Sequence, residues 1–258
     1  MLVKDTNDFG VHIMLKNGLL AASFLFFGTN LSGFKKVDSV PWEHPVSPYK
    51  SQFGQDKYAH EQFFKGQKGF FVEIGAADGE KCSNTYFFEK ILGWNGLCIE
   101  PLPHLYARLC ANRRCKCISC ALGKAEGTRC FLWAKNELEG FSGFVDTYHP
   151  EHFILLQQVA KKLKVSADFT LLDVPVRKPM SVFEECHISK IDVLSLDTEG
   201  SELEILSGID FSKITINVIV VENMRNIELI RNFLKNKGFL FVERLVIDDI
   251  FVRHGFAY

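Results

Sequence analysis

The sequence is poor in several things, and each shortage excludes a class of protein. It holds three tryptophans, six tyrosines and eight prolines in 258 residues. No internal repeat or low-complexity tract interrupts it, so neither a solenoid nor a disordered chain is expected. It has almost no net charge, −1 from 30 basic and 31 acidic residues. The longest basic run, Arg113-Arg114-Cys115-Lys116, is short and interrupted. A surface built to neutralise many phosphates needs more, so no nucleic-acid partner is expected. Nor is there an N-terminal apolar run that could span a bilayer as a helix. Residues 18–28 (GLLAASFLFFG) fall well short of the roughly 20 residues required. What the chain does have is phenylalanine, 24 residues in all. Many lie in strand-like runs, which predicts a large buried sheet. At 47% hydrophobic and 24% charged residues, the composition is that of a globular protein.

Eight cysteines are present, but a chain of this size does not need disulfide staples. Cys115-x-Cys117-x-x-Cys120 invites a zinc reading. However, residues 116–122 look like a strand, which would send Cys117 and Cys120 to opposite faces and prevent their convergence on one ion. Free, mostly buried thiols suit a reducing, cytoplasmic compartment. The apolar segment qualifies that placement. With Lys16 as its charged flank it matches a secretory signal or anchor, giving membrane association through residues 18–31. The bland alternative is an apolar helix, buried or lying on a membrane surface. Pro41, Pro45 and Pro48 mark residues 39–48 as a linker. The expected organisation is therefore a leader and linker over residues 1–48 and a folded domain over 49–258.

Within that domain, strand and helix patterns alternate. Strands are expected at 70–74, 96–100, 116–122, 191–197 and 216–222, and two more at 240–245 and 249–253. Helices are expected at 84–92, with Tyr86, Phe87 and Ile91 facing inward, at 104–112, at 201–206, and around Ile227, Ile230, Phe233 and Leu234 with Gly238 as C-cap. This predicts a three-layer α/β fold with a mainly parallel seven-stranded sheet and helices on both faces. The last two strands have no helix between them and should pair as an antiparallel hairpin. That ending is characteristic of class I methyltransferases, whereas a dinucleotide-binding Rossmann domain continues with parallel strands. An excursion at about residues 135–180 should shape the substrate side, with an amphipathic helix at 151–164 and an extended run at 171–176.

Ligands of open α/β sheets bind beyond the carboxyl ends of the strands. There the sequence places Glu73-x-Gly75-Ala76-Ala77-Asp78-Gly79, and then Glu100, 25 residues after Gly75. A strand-tip carboxylate can accept hydrogen bonds from both ribose hydroxyls. A dinucleotide site prefers G-x-G-x-x-G, and an acid such as Asp78 beside a pyrophosphate is unfavourable, whereas a cationic sulfonium tolerates it. The local chemistry favours S-adenosylmethionine over NAD. A second acidic cluster, Asp197-Thr198-Glu199-Gly200-Ser201-Glu202, begins on the same rim. Ser201 could be a helix N-cap, and Glu202 could favour the helix dipole. Asp197, Glu222 and Asn223 could converge as oxygen ligands for Mg2+.

Together these blocks resemble the FkbM-type methyltransferase family. The likeness is carried by Ser51-Gln52-Phe53-Gly54-Gln55-Asp56, Gly69 to Gly79, Ser83-Asn84-Thr85, Trp94-x-Gly96-Leu97-Cys98-Ile99-Glu100-Pro101 and Ala121-Leu122-Gly123. Its most specific part is the run from Ile191 through Asp197-Thr198-Glu199-Gly200 to Leu206. The resemblance implies a class I methyltransferase-like Rossmann fold and an S-adenosylmethionine-dependent enzyme that O-methylates a hydroxyl of a sugar, glycan or small natural product. It further implies that Glu73, Gly75, Ala76, Asp78, Gly79 and Asn84 hold the methionine and ribose end of the cofactor. Glu100 would take the ribose hydroxyls, and Leu122 would border the adenine. Asp197 is the first candidate base and Glu199 the second, with Gln52, Gln55 and Asp56 covering the site. Many members carry Lys two residues before the Asp of the D-x-E-G motif, where this chain has Ser195. Some animal relatives act as membrane-associated adaptors, so a catalytically silent binding protein is the alternative.

Overall fold

The computed structural model describes residues 47–224 and 227–257, and the backbone of residues 11–16 and 19–24. The N-terminal pieces are β1 (Val11–Lys16) and β2 (Leu19–Phe24), an antiparallel pair. The described part of the apolar stretch is thus strand rather than helix; residues 25–28, and the linker up to residue 46, lie outside the described residues. Among the described residues, no helix is long and apolar enough to cross a membrane.

The domain proper begins with α1 (Gln55–Phe63), β3 (Phe70–Ile74), α2 (Tyr86–Lys90), β4 (Asn95–Ile99), α3 (Pro103–Asn112) and β5 (Lys116–Ile118). The chain then leaves the main sheet for β6 (Ala121–Leu122), β7 (Gly127–Ala134), β8 (Gly143–Phe144), α4 (Pro150–Leu163) and β9 (Phe169–Arg177). It returns with α5 (Pro179–Glu185), β10 (Lys190–Leu196), α6 (Glu202–Ser207), β11 (Thr215–Glu222), α7 (Ile227–Asn236), β12 (Phe239–Leu245) and β13 (Asp248–Arg253).

The main sheet has seven strands in the order β12-β13-β11-β10-β3-β4-β5. β5, β4, β3, β10 and β11 are parallel, and β13 is antiparallel to both β11 and β12. This is the expected parallel sheet with a terminal hairpin. Its central strands are near-continuous apolar runs because both faces are covered. Successive residues divide between two cores. Val72, Leu194 and Ile219 enter one, while Phe71, Val193 and Val218 enter the other.

Three expectations need correction. The strand expected at 116–122 breaks after Ile118, and Ala121–Leu122 joins a second, four-stranded sheet of order β6-β9-β7-β8. Cys117 and Cys120 do pack on opposite cores. The excursion, expected between Gly123 and Ile191 with its insertion at about residues 135–180, begins at Ala121 and contains an unexpected sheet of its own, in which β7 and β9 pair along their full length. Finally, α2 is shorter than expected. Phe87 and Phe88 are buried in it, but Ile91 is exposed because the chain turns away at Gly93.

Candidate active site

The strand order reverses direction between β3 and β10, and ligands of open sheets bind at such a point. The two tips touch there. Gly75, at φ +82°, lies so close that a Cβ on it would stand 1.8 Å from the carbonyl oxygen of Asp197. Only glycine fits this position. A pocket opens above, lined by the loop after β3, the tips of β4, β10 and β11, and the inserted second sheet.

One side of this pocket is fully paired. Glu73 accepts hydrogen bonds from Ser83 Oγ (2.8 Å), Asn84 N (2.8 Å), Thr85 Oγ1 (2.7 Å) and Arg113 Nη1 (3.2 Å). It borders the pocket, but its oxygens are occupied by the protein, so it braces the loop rather than facing a ligand. Asp78 similarly caps its own turn, accepting from Glu80 N and Lys81 N. Gly79 makes room for α3, since a Cβ there would meet Leu109 and Arg113. Arg113, which sequence reasoning passed over, ties this side together. Its guanidinium has no exposed surface and donates to Glu73, Glu89, Thr85, Ser83 Oγ and the Gly79 carbonyl.

Other groups remain open. Among the described residues, Glu100 accepts only from Ala77 N (2.9 Å) and Leu102 N (2.8 Å). Burial pushes its pKa up to about 8. Asn84 donates to Ser195 Oγ (3.0 Å), while its buried Oδ1 has no partner. Ser195 thus occupies the place of the lysine seen in many FkbM-type chains and serves to hold Asn84. Ala76 and Leu122 are buried and line the pocket, and Leu102, Leu105, Phe131 and Phe144 extend its apolar wall.

The opposite rim is a concentration of unmatched acids. Asp197, Glu199 and Glu222 each offer an oxygen within 4.8 Å of the others. Desolvation, then the neighbouring Glu199, raises both Asp197 and Glu222 well above the ordinary carboxylate range. Desolvation also lifts Asp248 to about 7. Glu202 is raised by burial too, yet its Oε1 accepts from Thr198 N, Thr198 Oγ1 and Gly200 N. Its role is therefore to shape the D-x-E-G turn. Ser201 sits at the α6 N-cap, but its hydroxyl donates to Thr198 Oγ1 rather than to the helix. Glu199 is a non-glycine residue at φ +58°, a conformation the tight turn imposes. Its carboxylate lies 2.8 Å from His152 Nε2, too poorly aligned for a hydrogen bond.

Of the Mg2+ set expected from the sequence, Asp197 and Glu222 come together, with Glu199 as the third oxygen donor, but Asn223 does not join them. Asn223 turns away to donate to Asp249 Oδ2 (2.8 Å), a buried acid that is also gripped by Arg231 and Arg244. Of the covering segment, Gln52 lines the pocket. Gln55 instead donates to Asp248 Oδ2 (2.6 Å), and Asp56 accepts from the Lys50 and Ser51 amides. Sequence reasoning missed His152, Phe131 and Phe144, which arrive from the insertion. No short-range spacing signals them.

A seven-stranded sheet of this order, with a terminal antiparallel hairpin and an acidic pocket at the switch point, is the arrangement of a methyltransferase. The chain matches the model of the methyltransferase FkbM domain over residues 73–241, and it belongs to that family. No curated protein matches it.

Proposed function

We propose that the chain is an S-adenosylmethionine-dependent O-methyltransferase acting on a hydroxyl of a sugar, glycan or small natural product, with residues 49–258 as its catalytic unit. The observation that carries this reading is Glu100. It is a buried carboxylate with two backbone donors and free lone pairs, at the tip of β4 beside an apolar wall. A ribose diol supplies the two donors it lacks, and Leu102, Leu105 and Leu122 suit a flat base. The unpartnered Asn84 Oδ1 is a ready acceptor for an ammonium group. The residues present therefore fit S-adenosylmethionine. When bound, it supplies an electrophilic methyl on a cationic sulfur for in-line displacement by the acceptor oxygen.

The protein's part is alignment and proton removal. The pocket walls hold the acceptor oxygen at near-attack distance. Asp197, whose pKa is raised by desolvation, takes the proton that the hydroxyl sheds, and Glu199 stands beside it. A carboxylate left at an ordinary pKa would be a weaker base.

Calorimetry with S-adenosylhomocysteine tests the site. Glu100→Ala should weaken binding about 10- to 100-fold, the range for losing hydrogen bonds to a charged group. Wild-type affinity should also rise with pH up to about 8, where Glu100 ionises. Undiminished affinity in the variant would remove Glu100 from the site.

A further inference from the structure

A pair of thiols lies behind the cofactor-side loop, outside the pocket. Cys98 Sγ and Cys115 Sγ are in contact at 3.5 Å. Cys98, on β4, is buried in the core, while Cys115, between α3 and β5, is half-buried and reachable from solvent. We propose that this pair is a thiol-modification site, at which a peroxide oxidises Cys115 and Cys98 closes a reversible disulfide with it.

The contact carries most of the argument. A disulfide places its sulfurs at about 2.05 Å, so the two must approach by roughly 1.5 Å; because the register partner of Cys98 is Cys117, two residues beyond Cys115, closure also needs the backbone just before β5 to shift. The surroundings divide the labour between the two sulfurs. The groups facing the pair are Glu73 from β3, Glu89 from α2, Arg113 at the end of α3, and Cys117 from β5, with Cys110 of α3 beside Cys117. The neighbouring Cys117 and Cys98 sulfurs, helped by Arg113, hold the Cys115 thiol below its ordinary pKa, and Cys117 Sγ itself donates to the Cys115 carbonyl. Burial pushes Cys98 well above it. A low-pKa, accessible thiolate beside a resolving thiol is the arrangement that peroxide-reactive cysteines share.

The chemistry balances with hydrogen peroxide as oxidant. The Cys115 thiolate attacks one peroxide oxygen, so that an S–O bond forms, the O–O bond breaks, and the leaving hydroxide takes up a proton to become water. Cys115 is then a sulfenic acid. Cys98, on losing its proton, attacks that sulfur. An S–S bond forms, the S–O bond breaks, and the second oxygen leaves as water. A dithiol reductant reverses the result by thiol–disulfide exchange. The cross-link would join β4, two residues before Glu100, to the segment following Arg113, which holds the Gly79 carbonyl and Ser83. Oxidation would thus act on both anchors of the cofactor side.

The test needs no methyl acceptor. The reduced full chain is titrated with hydrogen peroxide, blocked by alkylation and mapped by peptide mass spectrometry. A Cys98–Cys115 linkage should appear before any oxidation at Cys110 or Cys130, the two exposed cysteines, and vanish with dithiothreitol. In Cys98→Ser, oxidation should stop at a Cys115 sulfenic acid that dimedone captures. In the wild type, iodoacetamide should label Cys115 at nearly the same rate at pH 6 and pH 8, whereas a thiol of ordinary pKa slows about 100-fold. Oxidation of Cys110 or Cys130 ahead of Cys115, a Cys115–Cys117 bond in its place, or a 100-fold slowing at Cys115 would each overturn the proposal. The two wild-type measurements stand even where a variant fails to fold.

Discussion

Two groups of buried and half-buried acids lie at the switch point, and the protein treats them in opposite ways. On the cofactor side, Glu73 and Glu89 are matched by Arg113, two hydroxyls and backbone amides. On the other rim, Asp197, Glu199 and Glu222 crowd within 4.8 Å, and Asp197 and Glu222 take part in no ion pair among the described residues. Both groups sit at or just beyond the carboxyl ends of the same sheet's elements, so position alone does not explain the difference. A buried acid with partners holds structure. A buried acid without them is a local instability, kept where chemistry needs a proton acceptor of raised pKa. The first group is scaffold, and the second is where the proposed proton acceptor lies.

Mutations should separate the two. The largest effect is expected for Arg113→Ala, which leaves Glu73 and Glu89 buried and unpaired. Breaking such a network costs about 3–5 kcal/mol, enough to lower the melting temperature by roughly 10 °C in a chain of this size. A variant that melts like wild type would show that the cofactor side is not held by its ion pairs. Asp197→Asn should do the reverse. Methyl transfer should fall about 10²- to 10⁴-fold, the usual contribution of a general base, while the fold is kept. If activity persists, Glu199 is the base and the same substitution belongs there.

The smallest effect concerns pH. The native pKa values of Asp197 and Glu222 are raised, as are those of Glu100 (about 8) and Asp248 (about 7), above the range they take in the unfolded chain. Between pH of about 4 and 8 the native state therefore binds more protons than the unfolded state, and stability falls as pH rises. Asp197→Asn removes one of these groups. Its melting temperature should exceed that of wild type by an amount that grows with pH across this window, reaching about 2–4 °C for each kcal/mol relieved. A difference that shrinks with rising pH would mean the rim acids are matched after all.

The sequence by itself determined the sheet and its chemistry-bearing tips. Runs such as Phe70-Phe71-Val72-Glu73-Ile74 and Ile191 to Leu196 are local signals, because a strand covered on both faces is mostly apolar rather than alternating, with single polar residues such as Glu73, Asp192 and Ser195 within it. Gly75, Glu100 and Asp197 follow from them as the residues where those runs end. The terminal hairpin was legible for the same reason, since no helix separates its strands. Tertiary structure alone decided which acids are paired. Arg113 reads as part of a basic run until α3 brings it under Glu73, 40 residues away. His152 reads as a surface residue of an amphipathic helix until the insertion folds back over Glu199. Asn223 reads as a ligand until Asp249 draws its amide away. Strand formation depends on neighbours in sequence, whereas the charge state of a buried acid depends on neighbours in space, and here those come from segments 26 to 47 residues distant.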